Sequence, residues 1–218
     1  GIVTVDDAVD VLVEGTTEDI QKMAAIATTD KPYTKVGVFE TIWHRVPWLL
    51  LLMISSTCTG IIIAGYEEKL AGALILTAFI PMLMGTGGNA GSQSSVTIIR
   101  SLSLDEIEFK DIFWVIFKEC RVSILCGLIL GIVNFGKILL VDGWLLHNEE
   151  INIWIALVVS ITLVITIVVA KIIGCSLPMI AKTMKLDPAV MASPFITTIV
   201  DVVSLLVYFG IASLILNI

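Results

Sequence analysis

Apolar residues fill five long runs of this chain, and the charged residues fall almost entirely between them. The runs lie at roughly 47–66, 70–100, 120–141, 151–180 and 188–217. A helix needs about 20 apolar residues to cross the hydrocarbon core of a bilayer, so each run is long enough. The second and fourth exceed that length and must tilt, break or protrude. Alternating ten-residue segments of the barrel type are missing from the pattern. It predicts an all-α polytopic membrane protein with five transmembrane helices per protomer, the second broken and the fifth kinked at proline.

Ahead of the first run the pattern changes. Gly1-Ile2-Val3-Thr4-Val5 reads as a buried strand, and Asp6-Asp7 then opens an amphipathic helix with Ala8, Val9, Leu12 and Val13. A strand and half a helix do not make a core, so a larger soluble domain is expected upstream. Thr16 with Asp19 forms a second start signal, for a helix through Ile20, Met23 and Ala24. No basic stretch leads into a short apolar one, as a signal peptide requires.

Lys and Arg set the expected orientation. Lys31, Lys35 and Arg45 precede the first span, Arg100, Lys110, Lys118 and Arg121 separate the second from the third, and Lys182 and Lys185 separate the fourth from the fifth. The opposite loops hold only Lys69, with Lys137 at a span end and acids at Asp142, Glu149 and Glu150. The N-terminus is thus expected in the cytoplasm and the C-terminus outside the cell membrane, as an odd number of spans requires.

Composition narrows the chemistry. The net charge of −7 comes largely from Asp6, Asp7, Asp10, Glu14, Glu18 and Asp19, against Lys22 alone nearby. This is either a solvated helix face or a set of oxygen ligands for a hard cation such as Mg²⁺. No basic stripe exists for nucleic acid. Cys58, Cys120, Cys126 and Cys175 are scattered, without a Cys-x-x-Cys or a nearby His, and read as small buried hydrophobes rather than zinc ligands.

Two membrane segments carry unusual residues. Asp201 is a lone carboxylate in the fifth run, and an ionised Asp at the centre of a membrane helix costs about 2.5–3.5 kcal/mol. Ser193, Thr197 and Asp201 recur every four residues, a polar stripe ending in the acid, while Thr198 bonds back to its own helix. Asp187 is suited to cap that helix, Pro188 to begin it and Pro194 to open its first turns. The alternative for Asp201 is a salt bridge to Lys171 in the fourth run. In the second run, Pro81 removes a backbone donor, and Gly85, Gly87, Gly88 and Gly91 weaken the helix further. Freed carbonyls survive in lipid only where protein or a wet cavity supplies partners. Asn89 and Gln93, on one helix face, suit a cavity wall; Gly87-x-x-x-Gly91 alternatively suits close helix packing.

These residues resemble a known family. Gly88-Asn89-Ala90-Gly91-Ser92-Gln93, preceded by Pro81, is similar to the Gly-Asn-x-Gly-x-Gln signature of MgtE-type magnesium channels. Leu186-Asp187-Pro188-Ala189, followed by Ser193-Pro194, Thr197-Thr198 and Asp201, resembles that family too. Residues 1–11 resemble the end of its second CBS domain, and Thr16-Thr17-Glu18-Asp19-Ile20 the start of its connecting, or plug, helix. The resemblance implies a CBS remnant at 1–15, a plug helix and interfacial segment at 16–46, and a five-span pore domain at 47–218. It implies a homodimeric, Mg²⁺-selective ion channel in the lipid bilayer, closed by cytoplasmic Mg²⁺, so that Mg²⁺ is both substrate and regulatory ligand. The pore positions fall on Asp201, Gly85, Gly88, Asn89, Ser193 and Thr197, and the sensing carboxylates on Asp7, Asp10, Glu18 and Asp19. Ser193 stands where the family often has Asn, and Gly15 where an acid is common.

Two other classes share some of these features. A secondary transporter of divalent cations also uses broken helices and an intramembrane acid, but an inverted repeat is expected and none is found. An intramembrane protease would need a base or a second membrane Asp, and Asp201 is alone while His44 and His147 are expected outside the spans. Enzymatic chemistry is therefore not expected.

Overall fold

The computed structural model describes residues 2–29, 31–66, 74–148, 150–191 and 193–216, with Ser193 described in its backbone only. Among these residues six α-helices follow in order: α1 (Val5–Met23), α2 (Val38–Gly65), α3 (Ile80–Ser103), α4 (Ile112–Lys137), α5 (Ile153–Thr183) and α6 (Ser193–Leu216). With 3-10 turns before α3, α4 and α6, and a π-helical end to α4, they give five segments long and apolar enough to cross a membrane. The protein is multi-pass and all-helical. Gly1, Lys69 and Glu149 lie outside the described residues.

The strand expected at the N-terminus is not formed. Thr4 Oγ1 accepts from the Asp7 N–H at 3.3 Å while Asp7 Oδ2 accepts from the Thr4 N–H at 2.8 Å. This reciprocal cap starts α1 at Val5 and leaves Ile2–Thr4 as plain extended chain. Nor does a second helix begin at Thr16. Its hydroxyl donates back to the Leu12 carbonyl at 2.7 Å, a mid-helix bond, and α1 runs on unbroken to Met23.

The prolines act at helix starts. Leu74–Phe79 is a 3-10 turn, and Pro81 is the second residue of α3, where its missing donor is an orphan anyway. The break in the second span therefore precedes the glycines, and Gly85–Gly91 is regular helix. The loosened carbonyls expected there are not formed. Pro194 is likewise the second residue of α6, after a separate 3-10 turn at Pro188–Met191. That turn is capped as expected, Asp187 Oδ1 accepting from the Ala189 N–H at 2.9 Å. The first and third spans start early, at Val38 and Phe109, and His44 consequently lies within α2.

α3, α5 and α6 form the core, with α4 packed on α5 and α2 on α6. α5 is the most buried span, and α2 has no buried residue. Small residues bring the core helices together. A Cβ at Gly91 would lie 2.9 Å from Ile196 Cγ2 and 3.0 Å from the Ala170 carbonyl oxygen, and one at Gly174 would land on the Gly91 carbonyl. Gly127 and Gly131 of α4 similarly face Val164 of α5. At the far end the Tyr208 hydroxyl donates to the Leu76 carbonyl at 2.9 Å.

Because the obstacle at Gly174 is backbone, Gly174→Ala should cost about 1–3 kcal/mol or more, as overpacked cores do. Gly85→Ala, with nothing within 4 Å of the new Cβ, should stay within about 0.5 kcal/mol. Thermal unfolding in detergent measures both. Equal midpoints would mean that the α3–α5 contact is not close.

Candidate ion pathway

The register of α3 against α6 positions the acid. Ile196 abuts Gly91, Thr197 abuts Gly88 and Val200 abuts Gly87, so the two helices run antiparallel. Asp201, one turn beyond Thr197, therefore lies level with Met84 and Gly85. It is half-buried, whereas Gly85, Asn89, Gln93 and Thr97 are exposed along one face of α3. Among the described residues the side chains of Asn89, Gln93 and Asp201 have no hydrogen-bond or ion-pair partner. Lys171 is not the partner of Asp201. Its ammonium lies 3.9 Å from Glu119 Oε2 instead.

The other positions expected to line a pore divide. Gly88 is buried, and a Cβ there would meet Thr197 Cγ2 at 2.9 Å, so this glycine sets the helix contact. Gly85 faces open space. The Thr197 and Thr198 hydroxyls both donate to the Pro194 carbonyl, at 2.9 and 3.0 Å, which leaves acceptor lone pairs on Thr197. The Ser193 side chain lies outside the described residues. Among the described residues no three His, Cys, Asp or Glu side chains gather closely enough to hold a metal ion. Such a path suits an ion that keeps its water rather than one stripped into a cage.

The four N-terminal carboxylates are not brought together. Asp7 is engaged in the helix cap, where hydrogen bonds from the Thr4 hydroxyl and N–H hold its carboxyl below the usual range. Asp10 is exposed, eight residues and so about 12 Å along α1 from Glu18. Glu18 and Asp19 lie instead beside the turn between α5 and α6. Lys22 Nζ bridges Glu18 Oε1 and Asp187 Oδ2, each at 2.5 Å. Burial, then the charge of Asp187, raises the Asp19 carboxyl. Burial would also raise Asp187, but hydrogen bonds from Lys22 and the Ala189 N–H outweigh it and hold Asp187 below the usual range. Asp187 was legible in the sequence only as a cap. Its lone position in a basic loop was the available signal.

Comparison with known proteins now bears on this arrangement. A family model described as MgtE, divalent cation transporter, matches residues 80–211, the stretch that carries the α3 stripe and Asp201. The chain belongs to the MgtE family. It is 37% identical over 217 residues to the magnesium transporter MgtE of Thermus thermophilus, covering 100% of this chain and 46% of that protein. It is also 37% identical over 213 residues to the magnesium transporter MgtE of Bacillus subtilis, covering 98% of this chain and 45% of that one. The counterpart from Enterococcus faecalis is 34% identical over 214 residues, with 98% and 45% covered. The chain thus spans about half the length of the curated MgtE relatives it matches.

The Lys22 tie should hold α1 against the α5–α6 turn between about pH 4 and pH 10. Asp187 is depressed, so its contribution is present above the ordinary Asp value and lost as pH falls through its lower folded value. Lys22 is raised by hydrogen bonds to Asp187 and Glu18, so its contribution is lost only as pH rises through its higher folded value. Part-exposed pairs of this kind contribute about 0.2–1 kcal/mol each. Lys22→Ala should therefore broaden the distance between spin labels at positions 14 and 185 severalfold in population. An unchanged distribution would show that Met23, packed on Ile99 and Ala189, holds α1 unaided.

Proposed function

We propose that this chain forms the membrane pathway of a Mg²⁺ channel built from two copies and carrying the ion into the cytoplasm. The observation that carries this reading is the exposed stripe of Asn89 and Gln93 beside the half-buried Asp201, which has no side-chain partner among the described residues. Facing lipid, these groups would be costly, so a water-filled path closed by a second copy is the arrangement that accommodates them. The outer face of α2, a helix with no fully buried residue, offers further surface for that copy. Asp201 from each copy would supply two negative charges, and Asn89 and Thr197 would supply oxygens to the waters of a hydrated ion. Exposed Gly85 would let the ion approach the backbone of α3 closely. The names of the three relatives support Mg²⁺ as the ion, and the oxygen donors of Asp201, Asn89 and Thr197 agree with an oxygen-preferring cation.

Gating by cytoplasmic Mg²⁺ is part of the same proposal. Residues 1–15 would belong to a regulatory CBS unit and 16–46 to the plug helix and interfacial segment, leading into the pore domain at 47–218. Asp7, Asp10, Glu18 and Asp19 would then sense the ion on the cytoplasmic side. Support comes from the crowding of Glu18 and Asp19 against Asp187, where a divalent cation would relieve repulsion better than Lys22 alone.

Ion flux into proteoliposomes tests the pathway. Mg²⁺ uptake should follow voltage without proton movement. Asp201→Asn should lower it at least about tenfold, equivalent to about 1.4 kcal/mol, while the protein stays folded. Uptake driven only by a proton gradient would favour a secondary transporter. Unchanged uptake in Asp201→Asn would remove the acid from the path.

A further inference from the structure

A charge pair lies inside the bundle where the pathway does not use it. Lys171 of α5 is only 7% exposed, and its ammonium sits 3.9 Å from Glu119 Oε2 of α4. Ser94 of α3, 2% exposed, joins the two. Its hydroxyl donates to Glu119 Oε2 at 2.6 Å and accepts from Lys171 Nζ at 3.4 Å. Three spans thus meet at one polar cluster. A hydroxyl can donate and accept together, so Ser94 fits between ammonium and carboxylate and bonds both.

Separating such a pair in a low-dielectric interior is costly, which makes it a fixed point for whatever is bonded to it. Ser94 follows Gln93 directly and lies about a third of a turn around α3 from the Asn89–Gln93 stripe. Sliding α3 by one residue would move Ser94 about 1.5 Å and break both bonds. One turn away, Gly91 rests against Gly174 of α5, and with Gly87 and Gly88 it seats one face of α3 against α5 and α6. The polar cluster adds a directional tie, through hydrogen bonds, that resists rotation of α3 from that seat.

We propose that Ser94, Glu119 and Lys171 are positioning residues: the buried charge pair between α4 and α5 grips α3 through the Ser94 hydroxyl and aims its Asn89–Gln93 stripe into the pathway. The flux part of this inference rests on the channel reading above, and the labelling part does not.

The test uses the chain in proteoliposomes with Cys58, Cys120, Cys126 and Cys175 replaced by Ala and a reporter at Asn89→Cys. The reporter is labelled with a polar, membrane-impermeant thiol reagent. Mg²⁺ flux is measured in the same background with Asn89 kept. Glu119→Gln alone and Lys171→Met alone should change the labelling rate and lower flux, each by about tenfold, because each leaves one charge buried and unpaired. Glu119→Gln combined with Lys171→Met should return both readouts to within about twofold, since a neutral packed pair replaces a buried ionic one well. Folded single variants with unchanged labelling would overturn the proposal. So would a folded double variant that remains altered, which would mean that the charges act on the ion itself. A double variant that fails to fold would overturn it too, because the pair would then hold the whole bundle. Restored labelling in a protein whose parent carries no Mg²⁺ would sink the channel reading alone.

Discussion

Gly91 and Gly174 bring two helix backbones into contact, and the placement of α6 follows from that approach. With α3 drawn against α5, the neighbouring faces at Gly87 and Gly88 become shallow grooves that receive Val200 and Thr197. Lipid offers no hydrophobic drive for helices to associate, so close packing of small residues has to supply the attraction. A bundle spaced by leucines would leave α6 too far from α3 for Asp201 to stand level with Gly85. The same glycines that weaken a helix in isolation are what let three helices converge.

One consequence is a division of polarity around α3. Its inner face carries Ser94 and Ser95, both buried, with Ser94 tied to Glu119 and Lys171. Its outer face carries Asn89, Gln93 and Thr97, exposed, the first two without side-chain partners among the described residues. These two inner serines are hydrogen-bonded within the chain, as a low-dielectric interior demands. Under the proposed pathway the outer ones would face water, an ion or a second copy. A helix polar on two faces is unusual in lipid, and here each face has a different account.

How much of this was legible in the sequence depends on range. The five spans follow from apolar length, and the isolation of Asp201 is visible without coordinates. The closeness of Gly87-x-x-x-Gly91 to another helix was legible as one of two readings, and helix packing is what those glycines do here. Pro81 was misplaced because a proline weakens a helix interior but suits its first turn, and sequence alone did not show that Leu74–Phe79 is a separate 3-10 turn. Gly1–Val5 read as a strand because four β-branched residues fit a sheet, yet the Thr4–Asp7 cap is a local interaction that starts a helix without one. Lys171 is a candidate partner for Asp201 in the sequence on charge alone. Its true partner, Glu119, is 52 positions away on another helix, and nothing periodic connects them.

The short turn at Pro188–Met191 ties these parts together. α1 reaches it through the Lys22–Asp187 pair and through Met23, which packs on Ile99 and Ala189. α3 reaches it through Ile99 and through the Ser95 hydroxyl, which donates to the Met191 carbonyl at 3.4 Å. α6 begins directly after it, so the first helical turn that bears Pro194, Thr197 and Thr198 is anchored where α1 and α3 also meet. Because α3 is held to α4 and α5 by Gly91 and Ser94, it is the stiffer of the two supports. The tie to α1 rests on part-exposed ion pairs and one methionine, contacts that yield at far smaller cost than a buried backbone contact. Under the proposed gating, a change in how α1 sits would move the start of α6 against α3, and Thr197 against Gly88 and then Asp201 would be the first positions to register it.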